Sequence, residues 1–437
     1  MSHDSAQTYG MTVPEVVQGE PDARERRTPQ HPGGAEPTGR LPWSALLAMA
    51  ATGFVIIVTE TAPAGLLPQL AAGLGISQAS AGQLVSAYAL GTVVAAVPAI
   101  RLTRQVRRKP LLLSGIAGFV VANTATALAD DYVMAMVARL IAGAFSGLLW
   151  GMIAGYARAI VPSAVAGRGL AVAMAGTPVA LSLGTPLGSF AGTLVGWRWT
   201  FAALSVLSLA LIGWVIASVP DRPGQSSGPS TPVLQVARIP GIAPVLLVVF
   251  TWMLAHNVLY TYIAPYLAYV GVPGRADLVL LVFGLAALAG IWCTGRGIDR
   301  ALRKLVLASL AGFALTAVLL VLWGDAPSLF YLATVLWGGA FGGAATQLQT
   351  ASADAAGAET DVAQAMLTTV FNLAIFGGGA LGATLLETAG PASFPWAVAA
   401  LVALASTTVL LSRRHGFPSG PRAENETALP RESHVSH

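Results

Sequence analysis

The sequence is short of charge. Only 10% of its 437 residues are Asp, Glu, Lys or Arg, against about 25% in a soluble domain. Lysine occurs twice and cysteine once, so a disulfide framework is excluded, and Cys293 reads as a small buried hydrophobe. Enzymatic signatures are missing as well: no phosphate-binding loop, zinc cluster or nucleophile motif is found, and His434 and His437 are too few to hold a metal. No metal site and no cofactor is therefore expected. What replaces charge is apolar length, 55% hydrophobic residues and a mean hydropathy of +0.68.

A helix rising 1.5 Å per residue needs about 20 apolar residues to cross roughly 30 Å of hydrocarbon. Twelve such stretches fall between residues 43 and 411, and the eighth to eleventh are expected at 277–298, 304–323, 327–350 and 361–386. A membrane β-barrel would instead show alternating segments of about ten residues. The reading is an all-α membrane protein with twelve transmembrane helices. The segments 1–42 and 412–437 are polar and are expected to be disordered tails, with the first apolar run acting as an uncleaved signal anchor. Asn425-Glu-Thr427 matches a glycosylation triplet by accident, being cytoplasmic in this topology.

Placing both tails and the loops after even-numbered spans on one side collects 21 of the 24 basic residues, including Arg101, Arg104, Arg107, Arg108 and Lys109. The positive-inside rule then makes both termini cytoplasmic. The net charge of +4 is a topological signal, not a footprint for nucleic acid. Twenty-two Arg against two Lys, with abundant Ala and Gly, points to a GC-rich prokaryotic genome and hence a bacterial inner membrane.

The chain repeats itself. Leu67-Pro68 with Leu70-Ala71 is echoed by Ala264-Pro265 with Leu267-Ala268, an offset of 197 that Trp199 and Trp396 share, and Gly184 to Gly188 is echoed by Gly378 to Gly382. Two six-helix halves, 43–219 and 241–411, follow, joined by a polar linker at 220–240. An offset of six spans means that both halves enter the membrane in the same direction, which puts a substrate site near the midplane between them.

One carboxylate, Glu60, lies deep in a span, in FVIIVTETAPAGLLP. A charge there costs at least a few kcal/mol, and a carboxylate taken out of water resists ionisation. It can therefore take up and release a proton as water access changes. In the repeat register it falls on Asn257, beside His256, the one intramembrane histidine and a possible second proton site. Tyr260 and Tyr262 add aromatic surface with a polar tip. Arg139, the one intramembrane basic residue, cannot lose its charge and needs a partner, and Trp150 shares its helix face. Tyr88, Gln347 and Asn372 complete the candidate cavity, although amides in apolar helices also bridge helices.

The order of GLLPQLAAGLGIS (65–77), GQLVSAYALG (82–91), ARLIAGAFSG (138–147), GTPVALSLGTPLG (176–188), GWRWTF (196–201), YTYIAPYL (260–267), GRGIDRALRK (295–304) and FNLAIFGGGALG (371–382) resembles the major facilitator superfamily, in its drug and sugar proton-antiporter branch. The resemblance implies the major facilitator fold, a role for Arg139 in proton coupling and exchange between states, and a cytoplasmic gate at Gly295, Asp299, Arg300 and Arg303. The first-half counterpart of that gate has Leu102 where its Asp would fall, and the antiporter stretch reads Gly184-Thr185-Pro186 in place of adjacent Gly-Pro. The expectation is efflux of a small amphipathic or hydroxylated molecule (drug, sugar or nucleoside) by alternating access, driven by the proton gradient. Its partners would be substrate, protons and lipid, with a monomer as the working unit. The alternatives are nutrient uptake by proton symport and a non-transporting receptor or partner-binding protein.

Overall fold

A computed structural model describes residues 41–103, 105–162, 165–224, 231–272, 274–323 and 326–420. Arg24, Arg26, Arg27, Arg40, Arg104, Arg422, Arg431, Asn425, His434 and His437 lie outside the described residues, as do most of the two expected tails. Every regular element among the described residues is helical. The first are α1 (Trp43–Gly65), α2 (Leu67–Leu74), α3 (Gln78–Thr103), α4 (Arg108–Ala127) and α5 (Tyr132–Ala159), followed by α6 (Ala166–Met174), α7 (Gly176–Val179), α8 (Thr185–Val195) and α9 (Trp197–Ser218). After the linker helix α10 (Val233–Ala237) come α11 (Ile242–Thr261), α12 (Ile263–Tyr269), α13 (Ala276–Trp323), α14 (Pro327–Gly342), α15 (Ala344–Ala356), α16 (Thr360–Thr388) and α17 (Phe394–Leu411).

Among the described residues ten stretches are long and apolar enough to cross a membrane, against the twelve expected. The difference lies in two long ones, Ala276–Leu322 and Leu329–Thr388, which hold the expected eighth to eleventh spans. At 1.5 Å per residue each exceeds twice a hydrocarbon core, and each is broken inside. Ala301 takes the non-helical angles φ −153°, ψ 42°, and the turn Gly357–Glu359 separates α15 from α16. The outer surface carries exposed Leu194, Val206, Leu209 and Leu411, a face that hydrocarbon rather than water wets. The chain is a multi-pass membrane protein.

The repeated dipeptides have a structural counterpart. α1 gives way at Leu66 to the short α2 with Pro68, and α11 gives way at Tyr262 to the short α12 with Pro265. Trp199 and Trp396 both face outward, 68% and 64% exposed, as interfacial tryptophans do. α3 and α5 approach closely because Gly143 lacks a Cβ; one added there would strike the carbonyl of Tyr88.

Two polar segments contribute buried residues to the packing. Linker residue Val236 is buried with Ile242, Ala356 and Ala363. Beyond α17, Phe417 is fully buried in the main core, so residues 412–417 fold back rather than begin a free tail.

The hydrogen bonds that run between helices before residue 220 and helices after 241 collect at one end of the bundle, among the described residues. Tyr262 donates to Ala79 O (3.2 Å) and Gly379 O (2.9 Å), Gln83 donates to Gly379 O at 3.1 Å, and Ser86 donates to Phe376 O at 3.2 Å. That is the end where α1 finishes and α3 begins; the segment 295–304 lies at the other end.

Candidate functional site

The fifth expected span is not a uniform helix. Between α7 and α8 the residues Ala180–Gly184 form one π-helical turn, with Thr185 Oγ1 donating to Ala180 O at 3.3 Å. Such turns widen a helix and re-aim the side chains that follow. Here the re-aimed residue is Thr185, whose Oγ1 lies 2.6 Å from Thr61 Oγ1, next to Glu60 on α1. Glu60 itself is partly buried. The hydroxyl of Tyr260, on α11, lies beside this threonine pair without completing a bond to either.

Arg139 is fully buried rather than exposed at the start of α5. That start is capped instead by Asp131, whose side chain accepts from Met134 N at 2.9 Å. The Arg139 guanidinium donates to Glu60 O at 3.2 Å and Leu84 O at 3.3 Å, tying α5 to α1 and α3. Its charge also lies over the rings of Tyr88 (4.8 Å) and Phe201 (5.7 Å). Among the described residues no ion pair joins it to the Glu60 carboxylate, and its Nη1 has no partner. Asn123 Nδ2 donates to Thr59 Oγ1 at 3.1 Å, while Asn123 Oδ1 and Ser146 Oγ are buried without partners. Since buried polar atoms are normally bonded, α1, α4 and α5 enclose spare donors and acceptors next to the one intramembrane carboxylate.

On the other side, Trp337 Nε1 donates to His256 Nδ1 at 3.2 Å. Indole is a donor only, so Nδ1 accepts and the imidazole hydrogen is assigned to Nε2. Aromatic rings surround it: Phe341 stacks at 3.6 Å between centroids, and Tyr260, Trp337 and Phe283 lie at 5.0, 5.4 and 5.6 Å.

The remaining expected cavity residues are not all gathered there. Tyr88 is fully buried, its hydroxyl on Ile56 O at 3.2 Å, and it forms the shelf under Arg139. Trp150 is partly buried and meets α1 at Gly53. Asn257 and Asn372 each donate one amide hydrogen to their own helices, to Met253 O (2.8 Å) and Thr368 O (2.9 Å). Gln347 bridges two parts of α13 through Thr294 (2.9 Å) and Ser309 (3.1 Å). Tyr262 sits in the cross-bundle contact described above. In the expected gate, Gly295, Asp299 and Arg300 are exposed, whereas Arg303 donates to three carbonyls at the end of α17: Val409 and Phe417 at 2.9 Å and Leu410 at 3.2 Å.

Sequence reasoning missed Thr61, Thr185, Asn123, Trp337 and Phe341. The one local signal for Thr61 is its adjacency to Glu60, and for Thr185 the interrupted Gly-Thr-Pro. Asn123 carries the same signal as Asn372, an amide in an apolar span, whereas Trp337 and Phe341 carry none, being brought in from distant helices.

A family model described as the Major Facilitator Superfamily matches residues 49–376. Among curated relatives, the transcription regulatory protein OpdE of Pseudomonas aeruginosa is 29% identical over 384 residues, covering 86% of this chain and 96% of that protein. The purine ribonucleoside efflux pump NepI of Salmonella enteritidis is 28% identical over 391 residues, covering 87% and 96%. NepI of Escherichia coli is 28% identical over 364 residues, covering 82% and 91%.

Proposed function

The chain belongs to the Major Facilitator Superfamily, and from that premise we propose that this membrane transporter exports a small hydroxylated or aromatic molecule in exchange for protons. The observation that carries the reading is Glu60, a carboxylate inside an apolar helix. Its backbone carbonyl is held by a fully buried arginine with one unused donor nitrogen. Protonated, Glu60 leaves Arg139 resting on the Glu60 and Leu84 carbonyls, as in this structure. Ionised, it attracts the free Nη1, because in a low-dielectric interior opposite charges a few Å apart interact strongly. The proton thereby controls where the guanidinium of α5 is held, and with it the packing of α1, α3 and α5. Alternating access supplies the rest of the cycle. The state seen here is closed at the end held by Tyr262, Gln83 and Ser86, and opening that end requires those bonds to break.

The charge bias supports a cytoplasmic position for both termini and the segment 295–304 in a bacterial cell, and in this reading the closed end is the outer one. His256 serves as a neutral hydrogen-bond donor toward substrate rather than as a proton carrier, since protonating Nδ1 would forfeit the Trp337 bond. The similarity to purine ribonucleoside efflux pumps favours nucleosides among the hydroxylated candidates. The proton gradient is the energy source, without a cofactor, and one chain is the working unit.

Proteoliposomes with an imposed pH gradient and radiolabelled adenosine test this. Wild-type protein is expected to drive export against inward proton flow. Glu60→Gln should abolish gradient-driven transport while retaining exchange at equal pH. Accumulation only in right-side-out vesicles with an inward proton gradient would establish uptake instead. Failure to move any solute from a hydroxylated panel would favour the non-transporting reading, which the name of the Pseudomonas relative keeps in view.

A further inference from the structure

Tyr260 is 4% exposed and its hydroxyl has no partner. A phenol buried in that state forgoes a bond that nearly all buried polar groups make. It lies beside two more hydroxyls, and their hydrogens can be assigned from the bond lengths. Thr61 Oγ1 donates to Ile57 O at 2.8 Å, so the hydrogen in the 2.6 Å threonine pair comes from Thr185, and the longer 3.3 Å contact of Thr185 with Ala180 O is at most a weak second branch of it. Each hydroxyl has one hydrogen and two lone pairs. The cluster therefore retains one free donor, the Tyr260 O–H, and free acceptor lone pairs on Thr185.

One donor beside one acceptor is the complement of an alcohol, which both accepts and donates. We infer that Tyr260, Thr185 and Thr61 form the recognition point for a hydroxyl of the transported molecule, which accepts from Tyr260 and donates to Thr185. This rests on the proposed function. His256 lies one turn earlier on the same face of α11, its ring 5.0 Å from that of Tyr260. Its Nε2–H supplies a second donor for a ring nitrogen or carbonyl, and Phe341 and Phe283 offer aromatic surface around it. The ligand class is a neutral molecule with an alcohol group next to a heteroaromatic ring, as in a ribonucleoside. Because Thr61 and Thr185 belong to helices before the linker and Tyr260 to one after it, the ligand hydroxyl spans the same divide as the outer contacts. The π turn at Ala180–Gly184 is what brings Thr185 to this point.

The test measures binding of adenosine and of 2′,3′-dideoxyadenosine to purified, reconstituted full-length protein by isothermal titration, for wild type, Tyr260→Phe and Thr185→Val. Wild type is expected to prefer adenosine by roughly tenfold or more, since a site built to bond a hydroxyl leaves its polar groups unpaired with the analogue. Tyr260→Phe and Thr185→Val should each reduce that preference to about threefold or less, chiefly by weakening adenosine. Melting temperatures verify that the variants fold. Preference retained in both variants, or lost equally for both ligands, would overturn the assignment, as would a wild type that binds the two alike. If adenosine transport is proton-driven yet the preference is untouched, the hydroxyl site fails while the exporter stands; if no hydroxylated solute moves, both fail.

Discussion

Replacing Tyr262 by Phe should open the end of the bundle that this side chain holds shut. The ring is wedged between Gly82 of α3 and Gly382 of α16, and removing only the hydroxyl leaves that packing in place. What is lost is one hydrogen shared between Ala79 O at 3.2 Å and Gly379 O at 2.9 Å, and an acceptor for Gln83 at 3.4 Å. Gly379 O keeps its bond from Gln83, but Ala79 O keeps no cross-bundle donor. The bond that Tyr262 donates and the one it accepts from Gln83 are each worth about 0.5–1.5 kcal/mol net, and the carbonyls keep the bonds of their own helices, so the closed form should lose about 1–2 kcal/mol. That corresponds to a factor of roughly 5–30 in the ratio of open to closed molecules. Spin labels at Ala72 and Tyr269, both exposed on short helices at this end, would report the two populations by double electron–electron resonance in a background with Cys293 replaced. A distance distribution unchanged within twofold would refute the role of the hydroxyl.

Gly143→Ala should destabilise the protein by about 1–3 kcal/mol, because a methyl group there meets the Tyr88 backbone and α3 cannot yield without moving. Gly213→Ala, with no atom within 4 Å of the added carbon, should be neutral or stabilising by up to about 1 kcal/mol; thermal melts in detergent compare the two. Arg303→Ala leaves the carbonyls of Val409, Leu410 and Phe417 without their donor. Loss of about 1–3 kcal/mol of local stability should appear as faster tryptic cleavage at Arg413 and Arg414, and equal cleavage rates would count against the contact.

Most of the helical content was readable in advance because apolar length has one physical meaning in a chain with so little charge: the backbone must satisfy its own hydrogen bonds in hydrocarbon. The proline repeats, read in the sequence only as a sign of duplication, lie just beyond the points where α1 and α11 break. Phe417 and Val236 lie in segments that are polar on average, and composition averages them away, although each finds a buried seat. Within the site, Glu60 and Arg139 stood out because a charge in an apolar helix is anomalous by itself. Asn257 and Asn372 looked equally anomalous, yet each donates one amide hydrogen to the preceding turn of its own helix, which no linear pattern distinguishes from a ligand-facing amide.

By itself, then, the sequence determined that this chain lies in a membrane as helices and which side chains carry a cost that needs explaining. Only the tertiary structure decided who answers that cost. Arg139 rests on backbone carbonyls rather than on a carboxylate, His256 accepts from Trp337, Arg303 holds the end of α17, and Tyr262 bolts two sets of helices together. The reason is geometric: a hydrogen bond is decided within a few tenths of an ångström and by the rotation of a helix about its axis. One π turn is enough to change that rotation for every residue that follows it.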